Sequence, residues 1–120
     1  MKKVYLTLGA LVVLVALLLA ANGGLAGGKA AYFDGKSPVK YFFSEQCSHC
    51  QAMKPILNSL ARQGYRVAPF DVLAHPNYWD DYKITGTPTW VAANGERLEG
   101  EQTEAALGAW FDSHGARIVQ

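Results

Sequence analysis

Hydrophobic residues along this chain form one long run near the N terminus, followed by short runs separated by polar and glycine-rich turns. The long run, residues 4–21, contains no charged residue and follows Lys2 and Lys3. A helix of that length extends about 27 Å, close to the ~30 Å hydrocarbon layer of a bilayer. The pattern therefore predicts an N-terminal hydrophobic helix that is a signal peptide or a membrane anchor, rather than a core helix.

The residues on either side of this run predict where the rest of the chain resides. The positive charges precede the run, which keeps that end in the cytoplasm and sends the following residues across the membrane. Gly24, Leu25 and Ala26 suit signal peptidase, whereas the length of the run favours an uncleaved anchor. Both outcomes predict a periplasmic or otherwise extracytoplasmic domain, tethered to the inner membrane if residues 4–21 are retained.

A stretch rich in glycine and alanine follows, from residue 22 to residue 36, without a helical or strand period. Such composition is typical of a flexible spacer. We therefore divide the chain into a signal peptide or anchor at 1–26, a flexible linker at 27–36 and a folded domain at 37–120.

The short hydrophobic runs of the folded domain alternate between strand and helix periods. Strands are predicted at 39–43, 65–72, 87–93 and 96–100, with a hairpin turn at Asn94-Gly95 between the last two. Helices are predicted at 47–63, 75–83 and 103–114, and Thr103 is the expected N-cap of the last. The order β-α-β-α-β-β-α predicts a minimal three-layer α/β sandwich.

Charge excludes one class of partner. Two of the 11 Lys and Arg residues precede the apolar run, so nine remain against ten Asp and Glu in the rest of the chain. These charges are scattered and form no basic stretch typical of nucleic-acid binding. We therefore expect no nucleic-acid partner.

Both cysteines of the chain lie in a C-S-H-C motif at the predicted start of the first helix. Unpaired N–H groups at a helix N terminus favour a thiolate, so Cys47 is the predicted nucleophile. Cys50 lies one turn further, on the apolar side with Met53 and Leu57, and is the predicted resolving thiol. His49 is predicted to stabilise the Cys47 thiolate. This arrangement suits disulfide exchange through a mixed disulfide, in which the cysteine pair is itself the redox couple and no separate cofactor is needed.

Three other interpretations of the motif remain open. Cys47, Cys50, His49 and His75 could form a copper or zinc site, which would make the chain a metal-binding or metal-delivery protein. A structural disulfide is a second alternative, although so short a loop removes little entropy from the unfolded chain. The third is a non-catalytic interaction module tethered to a membrane.

Three features carry a resemblance to a known family: C-S-H-C after a hydrophobic strand, Pro55 five residues beyond the second cysteine, and I-T-G-T-P-T-W before the third strand. Residues 37–114 resemble the thioredoxin superfamily in these features. The resemblance implies a thioredoxin-like fold, with Pro88 as a cis-proline facing the active site. It also implies that Thr87 offers backbone groups to an extended substrate.

The histidine before the second cysteine is similar to that of periplasmic Dsb-type proteins and disulfide isomerases. This resemblance implies a thiol–disulfide oxidoreductase working as an oxidase, isomerase or reductase. It implies protein thiols and disulfides as substrates and a membrane or periplasmic redox partner.

The chain also departs from the family pattern. Gln46 replaces the usual tryptophan before the first cysteine, and Tyr41 replaces a buried acid six positions before it. The customary proton acceptor for Cys50 is therefore missing, and Glu45 is the nearest carboxylate in sequence. The family's extra N-terminal strand and helix and the isomerases' dimerisation domain are not expected, so we predict a monomer.

Overall fold

A mixed four-stranded sheet organises residues 30–120, the part of the chain described by the computed structural model. The strands are β1 (Lys40–Phe43), β2 (Ala68–Asp71), β3 (Thr89–Val91) and β4 (Arg97–Glu99). Their order in the sheet is β2-β1-β3-β4, with β1 parallel to β2 and antiparallel to β3, which pairs antiparallel with β4. The predicted hydrophobic helix at 4–21 lies outside the described residues.

Three helices follow the predicted order: α1 (Ser48–Arg62), α2 (Tyr78–Asp81) and α3 (Glu104–Ser113). Thr103 caps α3 as expected, since its hydroxyl accepts the Ala106 N–H at 3.1 Å. Gly64 ends the α1 region at φ +98°, where a Cβ would lie 2.0 Å from the Val119 carbonyl oxygen. Helix α2 is shorter than the predicted 75–83, because the chain first makes a turn from His75.

The sheet separates two hydrophobic clusters, which makes the domain a three-layer sandwich as predicted. Side chains alternate along β1, so Tyr41 and Phe43 face one side and Phe42 faces the other. The first side is covered by α1 and α3 through a set of buried residues: Cys50, Met53, Leu57, Leu60, Leu107 and Phe111. The second side is covered by α2 and its flanks, with Tyr78, Trp79, Tyr82 and Ile84 against Phe42.

The packed structure begins before the predicted boundary at Ser37. Tyr32 is buried in the helix-covered core, and Phe33 forms a parallel bridge with Val67. The Val67 N–H donates to the Tyr32 carbonyl at 2.8 Å, and the Asp34 N–H donates to the Val67 carbonyl at 2.9 Å. Residues 30–36 are therefore part of the fold rather than a flexible linker. The rings of Tyr32 and Phe33 bury apolar surface against the core, which the small side chains around them are too short to do.

No helix within residues 30–120 has the length and apolar character needed to span a bilayer.

Replacing Tyr32 by alanine tests this earlier boundary. Removing a buried aromatic ring costs about 3–5 kcal/mol, so the free energy of unfolding should fall by that amount. Urea denaturation followed by tryptophan fluorescence measures the change, with Lys36→Ala as the control at an exposed position nearby. A loss below about 1 kcal/mol would show that residues 30–36 contribute little to the core.

Candidate active site

The turn between β1 and α1 brings Cys47 to the N-terminal end of α1. Ser44 stabilises this turn with two hydrogen bonds. Its carbonyl accepts the Cys47 N–H at 3.1 Å, and its hydroxyl accepts the Gln46 N–H at 3.1 Å. Cys47 then occupies the N-cap position, with extended backbone at φ −88° and ψ 117°. The turn therefore places a thiol, rather than a hydroxyl or carboxylate, at the positive end of the helix dipole.

The two thiols are free and differ in exposure. Cys47 is partly exposed, whereas Cys50, one turn further along α1, is 3% exposed and packs into the core. The backbone N–H of Cys50 donates to the Cys47 sulfur at 3.2 Å. The structure thus has one accessible thiol and one buried thiol, in the arrangement that the sequence predicted.

Their pKa values are displaced in opposite directions. Partial burial opposes ionisation of Cys47, but hydrogen bonds outweigh it and the pKa of this thiol is lowered. These hydrogen bonds come from the Cys50 thiol, the Thr87 side chain, and the N–H groups of Cys50 and His49. Burial and the hydrogen bond to Cys47 raise the pKa of Cys50 to about 11. Cys47 is therefore the thiol that ionises first.

The loop before β3 forms a wall beside Cys47. The Thr87–Pro88 peptide bond is cis, and the Cys47 thiol donates to the Thr87 carbonyl at 3.4 Å. The Thr89 hydroxyl donates to the Gly86 carbonyl at 2.7 Å and holds the loop to the strand. A groove of about 240 Å³ runs along this wall, lined by Thr85, Gly86, Thr87, Pro88, Thr89, Glu99 and Gly100.

The backbone N–H of His49 contributes to lowering the pKa of Cys47. Its imidazole instead lies beside Glu101, with Nδ1 3.5 Å from Oε2, and both side chains are well exposed. An exposed ion pair of this kind contributes little stability. The predicted effect of the imidazole on the thiolate stays a prediction, and Glu101 is a neighbour of the site that the sequence analysis missed.

Glu45 is occupied by other partners. Its carboxylate accepts hydrogen bonds from Lys54 at 2.9 Å and Gln51 at 3.3 Å. The hydrogen bond from Lys54, followed by that from Gln51, holds the pKa of Glu45 below its usual value. These contacts attach the turn to the exposed side of α1.

The proposed metal ligands do not assemble in the described part of the chain. Within residues 30–120, no group of three His, Cys, Asp or Glu side chains lies close enough to hold a metal ion. His75 is exposed and packs against the Tyr78 ring, with 5.0 Å between ring centroids. The metal-binding alternative therefore has no support from this geometry.

Comparison with known proteins assigns this arrangement to a family. The family model for thioredoxin matches residues 34–113. The chain belongs to the thioredoxin family. It is 34% identical over 79 residues to a thioredoxin from Acidithiobacillus ferridurans, a match that covers 60% of this chain and 73% of that protein. It is 27% identical over 89 residues to protein disulfide-isomerase A4 from Homo sapiens, across 64% of this chain and 14% of that protein.

A solved structure agrees with the family assignment. A mutant thioredoxin from Halobacterium salinarum NRC-1 superposes with a TM-score of 0.57 and 29% identity, covering 72% of this chain and 81% of that chain. The thioredoxin and disulfide-isomerase relatives, together with the paired thiols, support thiol–disulfide oxidoreductase activity.

Replacing Thr87 by valine tests the contribution of its hydroxyl. The Thr87 side chain contributes to lowering the pKa of Cys47, so loss of its hydroxyl should raise that pKa. The pH dependence of Cys47 alkylation by iodoacetamide measures the change. Thr85→Val, at an exposed position in the same loop, is the matched control, and equal pKa values in both variants would contradict the assignment.

Proposed function

We propose that this protein exchanges disulfides with other proteins outside the cytoplasm, with Cys47 as the nucleophile and Cys50 as the resolving thiol. The observation that carries the proposal is the pairing of an accessible thiol of lowered pKa with a buried thiol of raised pKa, one helical turn apart. A structural disulfide or a non-catalytic module would need no such difference between the two sulfurs.

The exchange proceeds in two steps. The Cys47 thiolate attacks one sulfur of a substrate disulfide, the substrate S–S bond breaks, and the departing substrate thiolate takes up a proton. Cys50 then attacks the Cys47 sulfur, loses its own proton and releases the second substrate thiol. Two electrons pass from the cysteine pair to the substrate, and the reverse sequence oxidises a substrate dithiol.

The wall beside Cys47 suits an extended peptide. The Thr87 carbonyl accepts from the Cys47 thiol, and Thr87 also lines the groove together with Pro88. We assign Thr87 and Pro88 to substrate binding, with Thr87 pairing to the peptide backbone. Because the thiols, the wall and the groove all come from one chain, a monomer suffices for the reaction.

The chemistry of Cys47 favours the more oxidising members of the family. A stabilised thiolate favours the reduced form of the pair, which makes the disulfide a stronger oxidant. This agrees with the resemblance of the C-S-H-C motif to Dsb-type proteins and disulfide isomerases. The cycle also needs a membrane or periplasmic partner that restores the pair after each turnover.

Two cysteine variants test the mechanism. Cys47→Ser should abolish reduction of a model protein disulfide, because the partly exposed nucleophile is lost. Cys50→Ser should instead accumulate a mixed disulfide at Cys47, since the resolving thiol is missing. Non-reducing electrophoresis with mass spectrometry detects the adduct, and Ser48→Ala is the control at the exposed position between them. An active Cys47→Ser variant would contradict the assignment of Cys47 as the nucleophile.

The location is tested by a reporter fusion. Alkaline phosphatase joined to the C terminus of the full chain should be active in a bacterial host, because this enzyme forms its disulfides only after export. Deletion of residues 4–21 is the control and should abolish the activity. Activity that survives the deletion, or is absent from the full fusion despite normal expression, would contradict an extracytoplasmic domain.

A further inference from the structure

One carboxylate lines the groove beside the cis-proline. The groove has a volume of about 240 Å³ and is bordered on one side by residues 85–89, and on the other by Glu99 and Gly100 at the end of β4. Residues 85–89 are Thr, Gly and Pro, which carry no charge. Glu99 is therefore the one ionisable residue among the seven described residues that line the groove.

Strand pairing places the Glu99 side chain on the face of the groove. Glu99 is the register partner of Thr89 in the antiparallel pair of β3 and β4, so the two side chains stand on the same face of the sheet. Leu98 packs against the helix-covered core, and alternation along β4 turns Glu99 to the opposite face. The Gly100 N–H donates to the Pro88 carbonyl at 2.8 Å, which holds the end of β4 beside the cis-proline loop.

The Glu99 carboxylate has no ionic partner among residues 30–120. Arg97 is the nearest cation along β4, two positions before Glu99 and on the same face. Its guanidinium donates instead to the carbonyl of Lys83, at 2.8 Å, and to the carbonyl of Tyr82. The exposed carboxylate of Glu99 is therefore available to a cationic group of a bound molecule.

The groove begins at the residue that contacts the nucleophile. Thr87 lines the groove and accepts from the Cys47 thiol at 3.4 Å, and Thr89, the register partner of Glu99, follows two residues later. An extended chain advances about 3.3 Å per residue. A peptide held along this loop with its cysteine at Cys47 therefore presents a side chain to Glu99 about two residues from that cysteine.

We propose that Glu99 is a specificity-determining residue, which favours protein substrates that carry Lys or Arg about two residues from the reacting cysteine. This inference rests on the proposed function and names its substrate class. The cationic side chain of the substrate pairs with the Glu99 carboxylate, whereas an acidic side chain at the same position is repelled. Glu99 takes no part in the bond exchange, which runs between the sulfurs of Cys47, Cys50 and the substrate.

Exposure limits the size of the effect. An ion pair between exposed side chains changes a rate or an equilibrium about two- to fivefold. Salt screens such a pair, because the Debye length falls from about 30 Å at 0.01 M to about 3 Å at 1 M ionic strength. The preference should therefore be clear at low salt and small at high salt.

Reduction of peptide disulfides by the full chain in a neutral detergent tests the proposal. Three symmetric disulfides are made from acetylated, amidated peptides that differ only two residues before and after the cysteine, where they carry Lys, Gln or Glu. Chromatography follows release of the peptide thiol by the reduced protein at low salt. The ratio of the wild-type rate to the Glu99→Gln rate for each peptide removes the intrinsic reactivity of its cysteine.

We expect Glu99→Gln to slow reduction of the Lys peptide about two- to fivefold and to accelerate reduction of the Glu peptide by a similar factor. The Gln peptide should be reduced at the same rate by both proteins. Raising the salt concentration to about 0.5 M should remove the differences. Reduction of 2-hydroxyethyl disulfide, which is small and uncharged, should not change, because the thiols themselves are unaltered.

Two further variants separate recognition at the groove from a general effect of charge. Asp80→Asn removes the same charge from an exposed position on α2, outside the groove lining, and should leave all three peptide rates unchanged. Glu101→Gln should have a smaller effect than Glu99→Gln, because Oε2 of Glu101 already lies 3.5 Å from Nδ1 of His49.

Equal effects of Glu99→Gln on the Lys and Glu peptides would overturn the proposal, as would a parallel loss with 2-hydroxyethyl disulfide. An effect of Asp80→Asn as large as that of Glu99→Gln, or a larger effect of Glu101→Gln, would overturn it too. Failure of the wild-type protein to reduce any of the three peptides would instead overturn the proposed function.

Discussion

The start of α1 at Cys47 is the constraint on which the site depends. The Cys47 sulfur accepts the Cys50 N–H, and this one contact caps the helix and stabilises the thiolate. The same turn of helix then directs Cys50 into the core. Starting the helix one residue later would rotate Cys50 by about 100° relative to the cap and move it away from the buried side of α1. The exposure of Cys47 and the burial of Cys50 thus both follow from the position at which α1 begins.

The register between β1 and β3 connects the thiols to the substrate wall. Phe42 pairs with Thr89 and Tyr41 pairs with Trp90, so the strand behind Cys50 is bonded to the strand that follows Pro88. Stacking of Tyr41 on Trp90 adds a side-chain contact to the backbone hydrogen bonds. Because close-packed cores deform little, the distance between the Cys47 sulfur and the Thr87 carbonyl is held by the sheet rather than by the loops.

Periodicity and turn residues were sufficient to predict the element order, the three layers and the asymmetry of the two thiols. They overestimated the lengths of the strands and of α2. Strand and helix propensities continue into residues whose backbone groups form hydrogen bonds within turns, as at His75. The linker prediction at 27–36 was wrong from residue 30 onward, because the composition rich in Gly and Ala gave no indication that Tyr32 is buried. The sequence identified Tyr41 only as a residue in place of the usual acid, because its stacking on Trp90 depends on how the strands pair.

A phenol at position 41, in the same core cluster as Cys50, distributes charge differently from a buried carboxylate. With Tyr41 protonated, ionisation of the reduced pair places its charge at Cys47, near the helix N terminus and solvent. A carboxylate behind Cys50 would add a second negative charge nearby, and its own burial would be costly without a cation. The neutral phenol avoids that repulsion in the reduced state and leaves no charge stranded in the core when the disulfide forms. The departure from the family pattern at Tyr41 therefore concentrates the negative charge of the reduced pair at Cys47, the thiol of lowered pKa.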